Sequence, residues 1–274
     1  MTLRVLASTT SHKKERLLPT LDVFSRLGLR DLDINLHHLI EGGVPVEEVA
    51  DAVATGGQRV WVVSGGWCDF FHRPPQIDET FRSTARQVEI ARRLNVGTLR
   101  LFFGRLAREE YDAARFDAIT RNLCQLSDRH PEMIFVFENH DGASLMPEIC
   151  RDVLSRVGRP NIRMNFDPIN FERAGVNAAA ALDVVRPFVA HVHLKGLHQG
   201  EFCEFGAGDV DLTPVLGSLV EGGYTGQFSV EYEGRFDGTL RLYESVRRAR
   251  AVVETLRTQA ASDGTGGGPP LGPR

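Results

Sequence analysis

The sequence predicts an α/β protein folded as a single (βα)8 TIM barrel, because eight strand-like runs alternate with helix-like stretches along its 274 residues. The helix-like stretches carry apolar residues three or four positions apart, as one buried helix face requires. Several end in a residue that commonly terminates a helix, as at Gly56, Asn95 and Gly222. An open, doubly wound sheet is the alternative arrangement of the same elements.

Each strand-like run is a short, mostly apolar segment of the kind that forms a buried parallel strand. In chain order, the eight runs cover residues 3–8, 31–36, 59–65, 98–104, 134–139, 162–167, 191–196 and 226–234. Strands that alternate with helices pair in parallel, and eight such units in one chain imply closure into a barrel.

The chain after the eighth run divides into a helical part and a tail. The helical part is LRLYESVRRARAVVETLRTQ, which is long enough for the last outer helix. The chain then ends in ASDGTGGGPPLGPR, which is rich in Gly and Pro and has almost nothing to bury. We therefore assign residues 1–259 to the barrel and predict a disordered Gly/Pro-rich tail over residues 260–274.

The composition is that of a soluble globular protein, with 42% apolar and 25% charged residues. The sequence has no apolar run long enough for a membrane span, and its N-terminal segment lacks the apolar core of a secretory signal. The formal net charge of −4 gives no general attraction for nucleic-acid phosphates. We expect a cytoplasmic protein with a small-molecule partner, no nucleic acid and no membrane; the sequence leaves its oligomeric state open, a homo-oligomer included.

The cysteines do not indicate a disulfide framework or a thiolate zinc site. The four cysteines are Cys68, Cys124, Cys150 and Cys203. They lie far apart in the sequence and lack the CxxC spacing of a zinc site. We expect free thiols.

Polar side chains stand at the carboxyl ends of the last four predicted strands. In chain order they are Glu138 in VFENHDG, Asp167 in NFDPIN, His193 in HVHLKG and Glu231 in SVEYEG. Because the carboxyl ends of barrel strands meet at one mouth, these side chains should converge there. Three carboxylates and one imidazole suit a divalent ion such as Mn²⁺, Mg²⁺, Co²⁺ or Zn²⁺.

Successive side chains of a strand point to opposite faces of the sheet, which limits the residues that can be metal ligands. His191, His193 and Lys195 share one face of the seventh strand, and the apolar residues between them face the helices. His193 is nearer the mouth, so we take it as the ligand and His191 as a deeper layer residue or a hydrogen-bond donor to the site. Glu231 and Glu233 also share a face, and we prefer Glu231 because it is expected to lie within the strand.

The motifs FENH, NFDPIN, HVHLKG and SVEYEG, with the loop EFGAGDVDL, resemble the xylose isomerase-like TIM barrel superfamily over residues 3–256. That superfamily covers sugar phosphate isomerases and epimerases, inosose and 3-dehydroshikimate dehydratases, and endonuclease IV. The resemblance implies one divalent metal ion held by Glu138, Asp167, His193 and Glu231. A Gly-x-Gly-x-x-Asp segment typical of the superfamily is matched by Gly206, Gly208 and Asp211.

The chain departs from the superfamily pattern in two places. Asn170 stands where a His often follows the sixth-strand Asp, and Lys195 is followed by Gly196 rather than by Asp. Endonuclease IV needs further His and Asp ligands for a three-zinc cluster, for which the candidates are His37, His38 and His72. Without the sixth-strand His, and with a net acidic chain, we disfavour DNA repair.

The expected chemistry is proton abstraction next to a metal-bound carbonyl. Glu138 and Glu231 would serve as base and acid on opposite sides of the substrate. Lys195 would stabilise a developing oxyanion or help a hydroxyl to leave. We favour an isomerase or epimerase acting on a sugar, a polyol or a cyclic ketone. A lyase of the inosose or 3-dehydroshikimate dehydratase type is the alternative, and a metal-binding barrel without catalysis is less favoured.

Four further residues near the mouth are candidate substrate contacts, namely His140, Asn170, Trp67 and Arg105. For His140 a role beside the metal ligands, without substrate contact, is equally open. For Trp67 and Arg105, which follow the third and fourth strands, plain packing is the competing interpretation.

Overall fold

Eight parallel strands close into a barrel in the computed structural model, which describes residues 3–235 and 238–263. The strands of the chain are β1 (Arg4–Ser8), β2 (Asp31–Asn35), β3 (Arg59–Ser64), β4 (Thr98–Phe102), β5 (Ile134–Glu138), β6 (Ile162–Phe166), β7 (Val189–Leu194), β8 (Gly196–His198), β9 (Glu201–Cys203) and β10 (Gln227–Val230). Their order around the barrel is β1-β10-β7-β6-β5-β4-β3-β2. Each of the eight predicted runs forms one barrel strand, so the predicted fold is confirmed.

A small hairpin that the sequence did not predict follows β7. Its strands β8 and β9 pair antiparallel, with Gly196 opposite Cys203 and His198 opposite Glu201. Strands of three residues are too short to show an alternating pattern in the sequence.

Helices surround the barrel. They are α1 (Leu17–Arg26), α2 (Leu36–Glu41), α3 (Val46–Thr55), α4 (Gln76–Arg93), α5 (Ala113–Arg129), α6 (Pro147–Val157), α7 (Pro168–Arg173), α8 (Ala178–Val185), α9 (Thr213–Glu221) and α10 (Gly238–Asp263). The predicted helix ends at Gly56, Asn95 and Gly222 are confirmed, since α3, α4 and α9 stop there. Asn95 has a left-handed backbone with φ of 56°, a conformation that Asn tolerates better than most residues.

The end of the chain differs in one respect from the prediction. Helix α10 continues to Asp263, past the boundary at residue 259, because its amphipathic pattern passes into the helix-forming residues before the first Gly of the tail. The rest of the predicted disordered tail, residues 264–274, lies outside the described residues.

Strand β10 is also shorter than predicted. It ends at Val230, so Glu231 directly follows the strand instead of lying within it. The Glu231 amide nevertheless donates a hydrogen bond of 2.9 Å to the carbonyl of Leu194, which keeps Glu231 beside β7.

The two faces of the barrel strands have opposite character. The faces turned to the helices carry fully buried apolar residues, such as Val192 and Leu194 on β7. The alternate positions, which face the barrel interior, carry buried polar residues, among them Asp33, Arg100, Asn165, His191 and Ser229. The interior therefore holds polar groups beneath the mouth, where branched apolar residues usually fill such a barrel.

Two expectations from composition can be compared with the structure. No helix in the described part of the chain is both long and apolar enough to cross a membrane. Cys68, Cys124, Cys150 and Cys203 are free thiols, as expected.

Candidate metal centre

Four side chains with metal-binding atoms converge at the mouth of the barrel. In chain order they are Glu138 at the end of β5, Asp167 after β6, His193 in β7 and Glu231 after β10. One ligand atom from each lies within 4.8 Å of the others. All four residues are at most 3% exposed. The convergence expected from the strand-end motifs is therefore present in the structure.

The sequence NFDPIN fixes Asp167 by capping a helix. Its Oδ1 accepts hydrogen bonds of 2.9 Å from the amides of Ile169 and Asn170 at the start of α7. The Asn139 side chain holds the Asp167 backbone with two further hydrogen bonds of 2.8 Å. These contacts orient the carboxylate, and its other oxygen, Oδ2, lies 3.0 Å from Lys195 Nζ.

Glu138 is held by an ion pair with Arg100 on β4 and by a hydrogen bond from Asn170 on α7. Arg100 Nε lies 3.2 Å from its Oε2, and the Asn170 side chain donates a 3.1 Å hydrogen bond to its Oε1. Burial opposes ionisation, but the charges of His193 and Arg100 lower the pKa of Glu138 to about 2. Glu138 is therefore a carboxylate at neutral pH, the form that binds a metal ion.

His193 points one ring nitrogen at two of the carboxylates. Its Nδ1 lies 3.1 Å from Glu231 Oε2 and 3.5 Å from Glu138 Oε1. Burial lowers the pKa of His193, yet the charges of Glu231 and Glu138 raise it well above the usual value. In the metal-free chain a proton on this ring supplies the positive charge that the carboxylates attract.

The donor set fits a divalent cation. Three carboxylates and an imidazole are hard or borderline ligands, and the described residues offer no thiolate at this place. Glu231 Oε1 is buried and has no hydrogen-bond partner among the described residues. Such an oxygen is costly unless an ion or water satisfies it, so the site is suited to hold one ion.

Lys195 is buried among carboxylates. Its Nζ lies 2.8 Å from Glu233 Oε1, 3.0 Å from Asp167 Oδ2 and 3.6 Å from Glu231 Oε2. Burial alone would lower the pKa of Lys195, but Asp167 and Glu233 raise it well above the usual value. The ring of Phe202, from the β8–β9 hairpin, lies 4.6 Å from Nζ and helps to cover it. Lys195 is thus a fixed positive charge beside the metal ligands.

Three of the four predicted substrate contacts lie together on one side of the mouth. Trp67 stacks on Phe102 with ring centroids 4.1 Å apart, and His140 meets both rings edge-on, at 5.2 Å and 5.0 Å. The Arg105 guanidinium lies 4.4 Å from the centre of the Trp67 ring. Burial opposes protonation of His140, but Asp141 and Glu138 raise its pKa. These residues form an aromatic and cationic wall.

Asn170, the fourth predicted contact, is turned toward the protein. Its side-chain NH₂ donates to Glu138 Oε1 and to the backbone oxygen of Asn139, at 3.1 Å and 2.9 Å. Both donors of the amide are therefore used to hold the Glu138 segment in place.

Three residues near the ligands were not among those predicted from the sequence. Arg100 contacts Glu138, Asp33 lies 3.8 Å from His193 Nε2, and Phe202 covers Lys195. A signal existed for the first two, because TLRLFFG and DLDINL each place a charged residue at an inward position of an otherwise apolar strand. No comparable signal marked Phe202, whose position depends on the unpredicted hairpin.

The Gly-x-Gly-x-x-Asp segment shapes the loop after the hairpin. A side chain at Gly208 would collide with the backbone of Leu197, 2.2 Å away, and the Asp209 amide bonds to the same carbonyl oxygen at 2.7 Å. Asp211 accepts a 2.9 Å hydrogen bond from Thr213 at the start of α9. The segment therefore packs the loop against β8.

The three histidines considered for a zinc cluster, His37, His38 and His72, are not part of any group of possible metal ligands in the described residues.

The protein is thus a TIM barrel with a cluster of carboxylates and an imidazole at its mouth that could hold a metal ion. The sequence profile of the family described as "Xylose isomerase-like TIM barrel" matches residues 24–258. The chain therefore belongs to the xylose isomerase-like TIM barrel family, and the resemblance in the motifs is confirmed. No curated protein sequence gives a significant match.

Solved structures share the fold over nearly the whole chain. An L-ribulose 3-epimerase has a TM-score of 0.77 at 14% identity, covering 98% of this chain and 100% of its own. The IOLI protein with a bound zinc atom has a TM-score of 0.75 at 17% identity, with coverage of 94% and 99%. The probable 3-DHS dehydratase AsbF from Bacillus anthracis has a TM-score of 0.75 at 13% identity, with coverage of 91% and 99%. At such identities, the similarity shows a common fold.

Proposed function

We propose that this protein is a divalent-metal-dependent isomerase or epimerase that acts on a sugar or polyol. The observation that carries the proposal is the buried cluster of Glu138, Asp167, His193 and Glu231, whose ligand atoms lie within 4.8 Å of one another. A divalent ion such as Mn²⁺, Mg²⁺, Co²⁺ or Zn²⁺ held there would act as a Lewis acid and make the C–H bond next to a substrate carbonyl more acidic.

Glu138 and Glu231 are the proton-transferring groups of the proposal. Glu138 ends β5 and Glu231 directly follows β10, and β6 and β7 lie between these two strands around the barrel, so a substrate between them meets a carboxylate on each side. Glu231 Oε1 has no hydrogen-bond partner in the described chain, whereas Glu138 is already held by Arg100 and Asn170. We assign the first proton abstraction to Glu231 and the return of a proton on the opposite side to Glu138.

Lys195 supports this chemistry as a fixed charge. Because neighbouring carboxylates raise its pKa, it keeps its proton and stabilises the negative charge that develops on a substrate oxygen. The stacked rings of Trp67 and Phe102, with His140 and Arg105 beside them, suit the apolar face and the hydroxyls of a sugar.

The position at which the proton returns decides the product. If a proton is added to the opposite face of the same carbon, the product is an epimer. If it is added to the neighbouring carbon, the product is an isomer. Loss of a hydroxyl from the next carbon instead gives dehydration, the reaction named for the probable 3-DHS dehydratase that shares this fold. Among the solved structures with the same fold are an L-ribulose 3-epimerase and a 3-keto-D-glucoside 4-epimerase, and we therefore favour epimerisation.

The test is a screen in deuterium oxide of ketoses, inososes and 3-dehydroshikimate, with Mn²⁺, Mg²⁺, Co²⁺ and Zn²⁺ added separately. We expect deuterium at one carbon of a stereochemically altered sugar, without loss of water. An ultraviolet-absorbing enone would support the dehydratase. Glu138→Gln and Glu231→Gln should abolish exchange, while the exposed Glu89→Gln on α4 is the matched control. A chain that binds metal and exchanges no proton from any of these compounds would support a non-catalytic barrel.

A further inference from the structure

A second group of buried polar residues lies deeper in the barrel than the metal ligands. Asp33 on β2, Asn165 on β6 and His191 on β7 are all 0% exposed. His191 Nε2 is within 2.9 Å of Ser229 Oγ on β10. Neither carboxylate oxygen of Asp33 has a hydrogen bond of good geometry in the described chain, although the Ser64 hydroxyl is close enough to lower the pKa of Asp33. A buried carboxylate without such hydrogen bonds is costly, so its presence calls for a compensating contact.

The charged group that can provide this contact is the imidazole of His193. Asp33 Oδ2 lies 3.8 Å from His193 Nε2, and both side chains are 0% exposed. Nε2 likewise has no hydrogen-bond partner among the described residues. The separation exceeds an ordinary N–H···O distance of about 2.9 Å by about 0.9 Å. The Ser64 hydroxyl on β3 is a second donor near the Asp33 carboxylate, but it carries no charge.

The two nitrogens of His193 face different surroundings. Nδ1 is turned toward Glu231 and Glu138, at 3.1 Å and 3.5 Å, and Nε2 is turned toward Asp33. A neutral imidazole carries one proton, and only the nitrogen without it can bind a metal ion. A carboxylate at the far nitrogen keeps the proton there and makes the near nitrogen a better ligand.

We propose that Asp33 is a positioning residue for the metal centre. It accepts the Nε2–H of His193, fixes the tautomer and leaves Nδ1 free to bind the ion between Glu138 and Glu231. This inference rests on the metal-dependent function proposed above. It adds β2 to the strands that build the site, although Asp33 itself does not touch the ion.

The alternative is that Asp33, His191 and His193 bind a second metal ion. Asp33, His191 and His193 each offer one atom within 4.8 Å of the others. To bind two ions, His193 would have to lose both ring protons, and Asp33 would be the only carboxylate on the deeper ion. We prefer the positioning role of Asp33, because it requires neither a doubly deprotonated His193 nor an ion held by a single carboxylate. The number of metal ions bound per chain, one or two, distinguishes the two possibilities.

The first test measures metal affinity in the full-length protein. Mn²⁺ and Zn²⁺ are titrated into metal-free wild-type protein and into Asp33→Asn and Asp33→Ala, with circular dichroism as a check of folding. We expect both variants to bind about ten- to a hundredfold more weakly, the usual effect of removing the partner of a ligating histidine. The matched control is Ser229→Ala, which alters the same layer of the barrel by removing the hydroxyl next to His191 and should change the affinity less than about twofold.

The second test identifies the ring nitrogen of His193 that binds the ion, first in the wild-type protein. Nitrogen-15 NMR of histidine-labelled wild-type protein loaded with ¹¹³Cd²⁺ should show the cadmium coupled to Nδ1 of His193 and a proton on Nε2. In Asp33→Asn the Nε2 proton signal should shift or exchange faster, since an amide can pair with either tautomer. Cadmium coupled to Nε2, two ions for each chain, or unchanged affinity in both variants would overturn the positioning role.

The two proposals can fail separately. A protein that binds one ion through Nδ1 of His193 but catalyses no proton exchange would contradict the proposed reaction and leave the role of Asp33 standing. A protein that binds no divalent ion would contradict both.

Discussion

Arg100 Nε lies 3.2 Å from Glu138 Oε2, and both side chains are at most 5% exposed. A buried charge left without its partner is far more costly than an exposed one. We predict that Arg100→Met destabilises the metal-free protein by more than about 1 kcal/mol and by up to about 3 to 5 kcal/mol in urea unfolding, because the buried Glu138 carboxylate then keeps only His193 as a nearby positive charge. Adding Glu138→Gln to this variant should restore much of the lost free energy of unfolding, because the buried carboxylate charge is then removed as well. A loss under about 1 kcal/mol, as for an exposed ion pair, would contradict this assignment.

Metal binding should release a proton from His193. Glu231 and Glu138 raise the pKa of this imidazole well above its usual value, so it carries two protons at pH 7 in the metal-free chain. An ion that binds to Nδ1 must displace one of them. Calorimetric titration with Zn²⁺ in buffers of different ionisation enthalpy should therefore report about one proton released for each ion at pH 7. A heat of binding that does not depend on the buffer would contradict a protonated His193.

Asp33 should make the stability of the metal-free protein depend on pH. Burial raises the pKa of Asp33 to about 6, against the lowering effect of the His193 charge. In the unfolded chain the same carboxyl group loses its proton near pH 3.9, about two pH units earlier. The unfolded state is therefore favoured as the pH rises through this range, and the folded state loses stability.

The isosteric variant Asp33→Asn cannot ionise and should escape this loss. We predict that it gains roughly 2 kcal/mol relative to wild type between pH 4.5 and pH 7.5, measured by urea unfolding without metal. An equal pH dependence in the two proteins would show that Asp33 titrates in the folded chain as it does in the unfolded one.

Trp67 should report sugar binding by its fluorescence. The chain has two tryptophans, and Trp61 lies elsewhere, with its indole nitrogen 2.7 Å from Asp31 Oδ1. In Trp61→Phe the remaining emission comes from Trp67, stacked on Phe102 at the mouth. Substrate should change this emission in a saturable way, and Trp67→Ala should raise KM about tenfold with a smaller effect on kcat. If the fluorescence does not change when substrate is added, Trp67 has a packing role only.

The sequence predicted the barrel and the convergence of four ligand side chains for one physical reason. In a closed barrel the carboxyl ends of all parallel strands lie at the same opening. Glu138 and Glu231, which stand at the ends of their strands, are therefore close in space although they are far apart in the sequence. Alternation along β7 likewise gave the inward direction of His193 and Lys195.

The contacts between inward side chains could not be predicted in the same way. Alternation turns Arg100 and Asp33 toward the interior, but the stagger of the strands decides that Arg100 meets Glu138 and that Asp33 meets His193. The donation by Asn170 to Glu138 depends on the short helix α7, which begins at the cap made by Asp167. Short elements such as α7 and the β8–β9 hairpin lack a periodic signal.

We propose that a divalent ion held by Glu138, Asp167, His193 and Glu231 activates a sugar for proton transfer. The most direct measurement is deuterium incorporation from solvent into the best sugar of the screen, followed by NMR with metal-free, metal-loaded and Glu231→Gln protein. We expect exchange at the carbon next to the carbonyl only in the metal-loaded wild-type protein. Equal exchange without metal, or undiminished exchange in metal-loaded Glu231→Gln, would contradict it.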